Sequence, residues 1–378
     1  MRGRNLRGRR TIAARVVVVA LVVAAGGIAA IAPPARGVEA AGPAASAAPA
    51  LMPAEPVLTA AQRRARLRTT AWIPSWDLTR AKASLRERQR LVGRLSPVWF
   101  ELRADGRRVT RRDGAYDAEV LQLVRARGIA LVPTVTNDLD PARTSTMLAT
   151  PKSRRRHVDE LVGLATRNRF AGLDVDYEGV DAADRSNFSA FVAELARRLR
   201  AQRMTLSVDV PPLTTSATGA YDLAAIGRAA GEVRVMAYDY SMPCTGSGPI
   251  APVEWVERVV RHTVDQVPAR KVVLGVPLYG YDWSRTGCAE ARTWSDTDEL
   301  RTRHDGTLAW SRPFQSRQLR YAAGGEQRLV WFEDARSTAA KLRIAHEYRL
   351  RGVALWRLGG EDPATWRVLA QVLGQAPS

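Results

Sequence analysis

The chain has 378 residues, of which 46% are apolar and 25% are charged, and this composition excludes a disordered or collagen-like protein. A chain of this length can bury a large core in one or two domains. The net charge of +19 favours an anionic partner such as a bacterial wall. No nucleic-acid-binding signature accompanies the basic residues, so nucleic acid is not an expected partner.

The N-terminal segment has the pattern of an export signal. Residues 1–10 carry five Arg, and an apolar run of 17 residues follows from Val16 to Ala32. This run is slightly short of the about 20 residues that span a bilayer as a helix. The small residues around Glu39 favour cleavage, and an uncleaved signal anchor is the alternative. We expect residues 1–40 to be a signal peptide or signal anchor, and the protein to be secreted, wall-associated or membrane-anchored on the extracellular face.

Residues 41–68 are rich in Ala and Pro without a clear period, which is typical of a linker. The folded domain is then expected over residues 69–378. Because export places the chain outside the cytoplasm, Cys244 and Cys288 are expected to form a disulfide, with two unpaired thiols as the alternative.

From Ala71 onward, short apolar runs alternate with amphipathic segments rich in Arg and Glu. The runs predict eight strands, at Ala71–Ser75, Pro97–Leu102, Ala130–Thr136, Gly172–Tyr177, Thr205–Val210, Val233–Tyr238, Val272–Leu278 and Gly352–Trp356. Helical spacing of apolar residues predicts helices at Arg154–Arg167, Ala183–Arg200, Tyr221–Ala230, Pro252–Gln266 and Ser337–Tyr348.

Alternating strands and helices indicate an α/β protein with a parallel sheet, and eight such units over about 300 residues favour a (β/α)8 TIM barrel. An open doubly wound sheet is the alternative, but no G-x-G-x-x-G follows the first strand. Residues 281–328 break the alternation and predict a small insertion after strand seven.

The fourth predicted strand carries three carboxylates at every second position. Asp174, Asp176 and Glu178 therefore share one face of the strand. Repulsion and burial raise carboxylate pKa values, so one acid is expected to hold its proton near neutral pH beside others that stay ionised. A general acid with a charged neighbour needs this arrangement. A solvated face on an edge strand is the alternative.

Polar and aromatic residues collect where the predicted strands end, which is where a barrel of this type has its active site. They are Trp76, Asp77, Asn137, Asp138, Tyr238, Asp239, Tyr240, Tyr279, Tyr281, Trp283 and Trp356. Aromatic rings around a carboxylate pair suit a sugar, whose ring faces stack while its hydroxyls form hydrogen bonds. Ordinary core packing is the alternative for any single ring.

Metal and cofactor motifs are missing from the sequence. The four histidines are far apart, and two cysteines cannot build a zinc site of four thiolates. His157 and His346 are expected to be surface or packing residues. Three acids on one strand without further ligands make a poor cage for a divalent cation. We therefore expect no metal and no cofactor.

Four motifs resemble those of glycoside hydrolase family 18, the chitinase-like hydrolases. Gly172–Glu178 is similar to the signature D-G-x-D-x-D-x-E, and Val235–Asp239 to the M-x-Y-D of strand six. Gly275–Gly280 also matches in order. Leu355–Gly359 is most similar to the bacterial branch of spore-cortex and cell-wall N-acetylglucosaminidases. The resemblance covers about Thr69 to Leu373.

The resemblance implies an exported glycoside hydrolase that cleaves β-1,4 linkages after N-acetylglucosamine in peptidoglycan or chitin. It implies a retaining reaction in which the substrate's acetamido oxygen is the nucleophile. Glu178 would be the general acid and base, and Asp176 would bind the acetamido N–H. Asp174 would tune Asp176 through a shared proton, and Tyr238 would bind the acetamido oxygen.

The resemblance also implies a set of substrate-binding residues. Trp356 would form the floor beneath the sugar and Asp239 would contact its polar groups. Tyr279, Trp76 and Asn137 complete the expected substrate-binding set. The expected partner is a polysaccharide that contains N-acetylglucosamine, bound by a monomer; a membrane is a partner only if the N-terminal segment stays uncleaved.

One departure from the family signature is Ala171, which stands where the signature has its first Asp. In the family that position belongs to a buried acid relay, so we expect an altered rate or pH optimum. It also leaves a non-catalytic glycan-binding module as the alternative function, which the presence of Glu178 disfavours. Tyr177 replaces the Trp of true chitinases, as it often does in the bacterial branch.

Overall fold

The computed structural model describes residues 68–215 and 219–373. The predicted export segment and nearly all of the predicted linker lie outside these residues. Within the described ranges, no helix is both long and apolar enough to cross a bilayer.

Eight parallel strands close into a barrel. Strands are numbered β1 to β15 along the chain, and those of the barrel are β1 (Arg68–Ile73), β2 (Arg94–Leu102), β5 (Thr134–Thr136), β6 (Gly172–Asp176), β7 (Thr205–Val210), β8 (Glu232–Val235), β9 (Val272–Pro277) and β15 (Gly352–Trp356). Each pairs with the next, and β15 closes the barrel on β1. The predicted TIM barrel is confirmed, because the eight parallel strands form a closed sheet and alternate with helices along the chain.

The third predicted strand is the one that differs most from its prediction. The run Ala130–Thr136 divides into β4 (Ala130–Leu131) and β5, and only β5 pairs with β6. Pro133 lies at the break and has no N–H to donate, so the ladder is interrupted there. A short strand, β3 (Val109–Arg111), adds to β2 in antiparallel fashion beyond the barrel.

All five predicted helices are present, together with others that the sequence pattern missed. Their bounds are Leu78–Arg88, Ala118–Arg127, Pro141–Leu148, Pro151–Arg167, Arg185–Ala201, Leu223–Ala229, Val253–Val264, Trp294–Arg303, Ala335–Glu347 and Thr365–Val372. The helix predicted from Arg154 begins three residues earlier, at Pro151. Thr150 caps it in a capping box with Ser153, and Pro at the first helical position costs no hydrogen bond.

The insertion after strand seven is a five-stranded antiparallel sheet. Its strands are β10 (Tyr279–Trp283), β11 (Glu290–Thr293), β12 (Thr307–Ser311), β13 (Ser316–Ala323) and β14 (Glu326–Phe332), in the order β11-β10-β14-β13-β12. Leu319, Tyr321, Val330 and Phe332 form a small core of its own. The insertion extends from Tyr279 at the start of β10 to Phe332 at the end of β14, so it is longer at both ends than the predicted range 281–328.

Two glycines allow strands to approach closely beside the carboxylates. A Cβ at Gly172 would lie 2.2 Å from the main-chain oxygen of Thr205, so β6 and β7 could not keep their spacing. A Cβ at Gly275 would lie 3.0 Å from the ring of Tyr238. The absence of a side chain at Gly275 therefore provides space for the Tyr238 ring after β8.

Cys244 and Cys288 form a disulfide, as expected, with their Cα atoms 4.4 Å apart. The bridge joins the loop that follows β8 to the turn between β10 and β11. The carbonyl oxygen of Pro243 accepts hydrogen bonds from Ala289 N (2.9 Å) and Trp283 Nε1 (3.2 Å) at the same place. The disulfide thus fixes the insertion to the loop that carries Asp239.

We predict that reduction of the disulfide lowers the melting temperature. Closing a loop across a sequence separation of 44 residues restricts the unfolded chain by about 4 kcal/mol in the chain-entropy model. Differential scanning calorimetry with and without reductant measures the shift, and a Cys244→Ser/Cys288→Ser double variant is the control. An unchanged melting temperature, with the double variant as stable as the parent, would contradict a stabilising bridge.

Candidate active site

Asp174 is fully buried in the barrel and binds donors from four other strands. Its Oδ2 accepts hydrogen bonds from Trp72 Nε1 (3.0 Å) and Thr134 Oγ1 (2.8 Å). Its Oδ1 accepts one from Ser207 Oγ (2.5 Å). The guanidinium of Arg234 lies 2.7 Å from Oδ2. Three of these donors lie at Oδ2 and one lies at Oδ1, so Asp174 is surrounded by donors.

Sequence reasoning missed two charged residues beside Asp174. Arg234 on β8 is fully buried, donates to Ser96 Oγ on β2 (3.0 Å), and lies 5.3 Å from the ring of Trp72. Asp209 on β7 is adjacent to Arg234 in the strand register and is only 2% exposed. Both residues lie within apolar runs that were predicted to be strands. A charged residue inside such a run could have been identified from the sequence as a candidate site residue.

Asp176 and Glu178 follow Asp174 toward the carboxyl end of β6. Burial raises the pKa of Asp176 well above its ordinary value, and the nearby carboxyls of Glu178 and Asp174 raise it further. Arg234 and Arg112 lower it in part. Burial raises the pKa of Glu178 to about 7, with Asp239 adding to the effect. Glu178 can therefore give and take a proton near neutral pH.

Asn137 holds the main chain of Glu178. Its Oδ1 accepts a hydrogen bond from Glu178 N (3.0 Å), and its Nδ2 donates to Glu178 O (2.7 Å). A further contact joins Nδ2 to Thr144 Oγ1 at 3.0 Å. Asn137 was predicted to bind substrate, but its side chain is fully buried and committed to these contacts. It orients the catalytic strand end instead.

Tyr238 and Asp239 follow β8 and lie close to the acids of β6. Asp239 has a left-handed main chain with φ of 58°, and its Oδ1 accepts hydrogen bonds from the hydroxyls of Tyr279 and of Tyr281 (2.8 Å). Burial raises the pKa of Asp239, and the two tyrosine hydroxyls lower it in part. Burial beside several carboxyls also raises the pKa of Tyr238. The Tyr238 hydroxyl therefore stays protonated and can donate a hydrogen bond.

Three tryptophans meet at the mouth of the barrel. The rings of Trp356 and Trp72 are 5.8 Å apart in a T-shaped arrangement, and those of Trp76 and Trp356 are 6.2 Å apart. Trp76 is 56% exposed, so a large apolar face is open to solvent. The peptide bond from Trp356 to Arg357 is cis. The structure thus brings two of the predicted substrate-binding residues, Trp356 and Trp76, together above the carboxylates.

The opposite face of β6 belongs to the packing layer between barrel and helices. Tyr177 is buried, and its hydroxyl lies 2.6 Å from Nε2 of His157. Burial lowers the pKa of His157 to about 4, so this histidine is neutral at neutral pH. Tyr221 donates a hydrogen bond to the carbonyl oxygen of Tyr177 (2.6 Å). His157 is accordingly a packing residue, in agreement with the sequence.

The interpretation of Ala171 as a gap in a buried acid relay is wrong. Ala171 is exposed and precedes β6, at the end of the strand away from Glu178. Its main chain bonds to Leu131 O and Thr205 N. An Asp there would face solvent. The buried acids beneath Asp176 are Asp174 and Asp209.

Within residues 68–215 and 219–373, no group of three or more His, Cys, Asp or Glu side chains has a geometry that could hold a metal ion. Asp174 already has four donors around its oxygens. Asp174 is therefore held by protein donors.

Comparison with known proteins gives relatives of one kind. The chain is 33% identical to the sporulation-specific glycosylase YdhD of Bacillus subtilis, over 66% of this chain and 63% of YdhD. It is 28% identical to the cortical fragment-lytic enzyme of Bacillus subtilis, over 57% of this chain and 53% of that enzyme. The chain thus matches between about half and two thirds of the length of these relatives.

Solved structures with a similar fold include glycoside hydrolases. The crystal structure of a chitinase from Chromobacterium violaceum superimposes with a TM-score of 0.76 and 30% identity, covering 82% of this chain and 99% of the chitinase. The model of the glycosyl hydrolases family 18 matches residues 122–361. That range includes the carboxylates of β6, the pair Tyr238 and Asp239, and Trp356. The chain belongs to glycosyl hydrolases family 18, a family of glycoside hydrolases.

Proposed function

We propose that this protein is an exported hydrolase that cleaves β-1,4 linkages after N-acetylglucosamine in chitin or peptidoglycan. The proposal rests on the position of Glu178, which directly follows a barrel strand and is held there by Asn137, and whose pKa burial raises to about 7. A carboxyl of that pKa is protonated often enough to act as an acid and ionised often enough to act as a base near neutral pH.

Glu178 protonates the glycosidic oxygen as the bond to the leaving sugar breaks. Asn137 fixes the Glu178 main chain through two hydrogen bonds, so the carboxyl approaches that oxygen from a defined direction. In the second half of the reaction, the Glu178 carboxylate takes a proton from the attacking water. The same residue therefore serves as acid and then as base.

The nucleophile is the acetamido oxygen of the substrate. Asp176 is the nearest other carboxyl on this strand, but burial raises its pKa so that it holds a proton and is a poor nucleophile. Attack by the acetamido oxygen on the anomeric carbon gives an oxazolinium ion. Water opens this ion from the opposite face, so the anomeric configuration is retained.

Two side chains hold the acetamido group for that attack. Asp176 binds the acetamido N–H, and its carboxyl oxygen Oδ1 has no hydrogen-bond partner among the described residues, which leaves it free to do so. Tyr238 donates its hydroxyl to the acetamido oxygen, since its raised pKa keeps the proton in place. The nearby carboxyl of Asp174 helps to raise the pKa of Asp176.

The aromatic residues at the barrel mouth bind the sugar ring. Trp356 lies below the reacting sugar, and the exposed Trp76 extends the apolar surface to a neighbouring unit. Asp239 contacts the substrate's polar groups, and Tyr279 and Tyr281 keep its carboxyl in position. We expect these contacts to select glycans over other polymers.

The relatives support N-acetylglucosamine glycans as the substrate class and do not choose between wall and chitin. Two are a sporulation-specific glycosylase and a cortical fragment-lytic enzyme, and a third is a chitinase. Export is supported by the basic and apolar N-terminal segment and by the disulfide. A purely glycan-binding role loses its support, since Ala171 lies away from the acids.

Product analysis tests the proposal. The full chain is incubated separately with bacterial peptidoglycan and with chitin oligosaccharides, and fragments are identified by mass spectrometry. We expect new reducing ends at N-acetylglucosamine, and the polymer cleaved faster identifies the substrate. Glu178→Gln keeps the shape of the side chain and should bind glycan without cleaving it. A wild-type protein that binds both polymers but cleaves neither would contradict the proposal.

Removing the acetyl group of the reacting sugar should stop the reaction. An oligosaccharide with glucosamine at that position has no acetamido oxygen to attack, so we expect kcat/KM to fall by at least about 100-fold. The fully acetylated oligosaccharide of equal length is the control. Comparable cleavage of both would show that the acetamido oxygen is not the nucleophile.

Glu178→Gln should make the protein more stable at alkaline pH. The folded-state pKa of Glu178 is raised from 4.5 to about 7, so the wild type is unaffected below about pH 4.5 and loses stability as pH rises from there to about 7. The amide that replaces the carboxyl in the variant cannot ionise. Because Glu178 is half-buried, we expect a gain of about 2 kcal/mol in the free energy of unfolding at about pH 8.

Urea unfolding at about pH 4 and pH 8 measures this difference. Glu87→Gln, at an acid whose side chain is 68% exposed, is the matched control and should change the free energy of unfolding equally at both pH values. A Glu178→Gln variant with no extra stability at pH 8 would mean that the Glu178 pKa is not raised.

A further inference from the structure

The interior of the barrel beneath Asp176 contains more acids than the proposed reaction uses. Asp174 and Asp209 lie there close to Asp176, and Arg234 forms an ion pair with Asp174. Asp174 and Arg234 have no exposed surface, and Asp209 is 2% exposed. Isolated charges at such depth are costly, so the charges of this group must nearly balance.

Arg234 neutralises the charge of Asp174 and not that of another acid. Its Nη1 lies 2.7 Å from Asp174 Oδ2, while the side chain of Glu232 is 4.0 Å from Nη2. Glu232 has two other cations of its own, since it forms ion pairs with Arg94 and with Arg351 (2.5 Å). The positive charge of Arg234 is therefore assigned to Asp174.

Asp209 has no cation left to neutralise it. Its neighbours are the carboxyls of Asp174 and Asp176, the guanidinium of Arg234 on the next strand, and the hydroxyl of Tyr238. Its Oδ1 has no hydrogen-bond partner among the described residues. Burial and the two neighbouring carboxyls raise its pKa well above the ordinary value, and Arg234 offsets only part of this.

We propose that Arg234 and Asp209 are positioning residues that fix the number of protons beneath Asp176. Arg234 keeps Asp174 as a carboxylate, and Asp209 stays a neutral carboxylic acid that faces it. Asp176 and Glu178 then lose their protons above a buried group whose net charge is zero. This inference rests on the proposed function only in that Glu178 is taken as the acid of the reaction.

The two residues should differ in their effect on the pH profile, because only Arg234 is charged. Arg234→Gln removes the cation, so the carboxyls around it hold their protons more tightly, and the alkaline limb of kcat/KM should move up by about one pH unit. Asp209→Asn replaces a neutral acid by a neutral amide, so the charge beneath Asp176 does not change. Its alkaline limb should therefore stay where it is in the wild type.

Two control variants separate positioning from loss of stability. Arg234→Lys keeps the positive charge and should return the profile toward that of the wild type. Glu333→Gln breaks a different buried ion pair, with Lys341 at 2.6 Å, and should lower the melting temperature without moving either limb. If Arg234→Gln leaves the alkaline limb unmoved, as Glu333→Gln does, Arg234 is structural only and the inference is overturned. A downward shift of that limb in Asp209→Asn would mean that Asp209 is ionised and would also overturn it.

Infrared spectroscopy tests the proton on Asp209 without any substrate. The wild type at neutral pH should show the carbonyl stretch of a buried carboxylic acid that is absent from Asp209→Asn. Its absence from the wild type would mean that Asp209 is ionised and would overturn the inference. A wild type that has this band but cleaves no glycan would instead contradict the proposed function alone.

Discussion

The ion pair between Asp174 and Arg234, 2.7 Å apart and without exposed surface, is the interaction on which the site depends. Asp174 on β6 receives hydrogen bonds from Trp72 on β1, Thr134 on β5 and Ser207 on β7. Arg234 reaches from β8 to Ser96 on β2. Six of the eight barrel strands therefore contribute to one buried network. Removing either charge would leave the other unpaired at a depth where an unpaired charge is strongly destabilising.

Burial also raises the pKa values of the carboxyls that follow Asp174 along the strand. Asp174, Asp176 and Glu178 carry the same chemical group along one strand face, yet their surroundings differ. Asp174 has a cation and three further donors, Asp176 has an oxygen without a partner among the described residues, and Glu178 reaches the barrel mouth. Carboxyls separated in this way by their environment can take separate roles in one reaction. The raised pKa values are also a stability cost at alkaline pH, as expected for a functional site.

The barrel and the position of the acids could be predicted from the sequence because they follow from local patterns. Alternating apolar and amphipathic segments give the parallel barrel, and a period of two places Asp174, Asp176 and Glu178 on one face. The ends of elements were less predictable: Thr150 and Pro151 start a helix earlier than its apolar pattern does, and Pro133 divides a strand.

The contacts across the barrel could not be predicted, since they depend on which strands face one another. Asn137 stands at a strand end like a substrate-binding residue, but the fold directs its amide to the main chain of Glu178. Ala171 precedes the acids in the chain and lies at the far end of their strand. Asp209 and Arg234 belong to no motif, and only the closed barrel brings them beneath Asp176.

In the proposed reaction Glu178 serves first as acid and then as base, because the acetamido oxygen displaces the leaving sugar and water then displaces that oxygen. The anomeric configuration of the first product reports whether these two displacements occur. Proton magnetic resonance during cleavage of a chitin oligosaccharide follows the new reducing end before it equilibrates. We expect the β-anomer to form first, because two displacements at the anomeric carbon retain its configuration. Initial formation of the α-anomer would show a single displacement by water and would exclude the acetamido oxygen as the nucleophile.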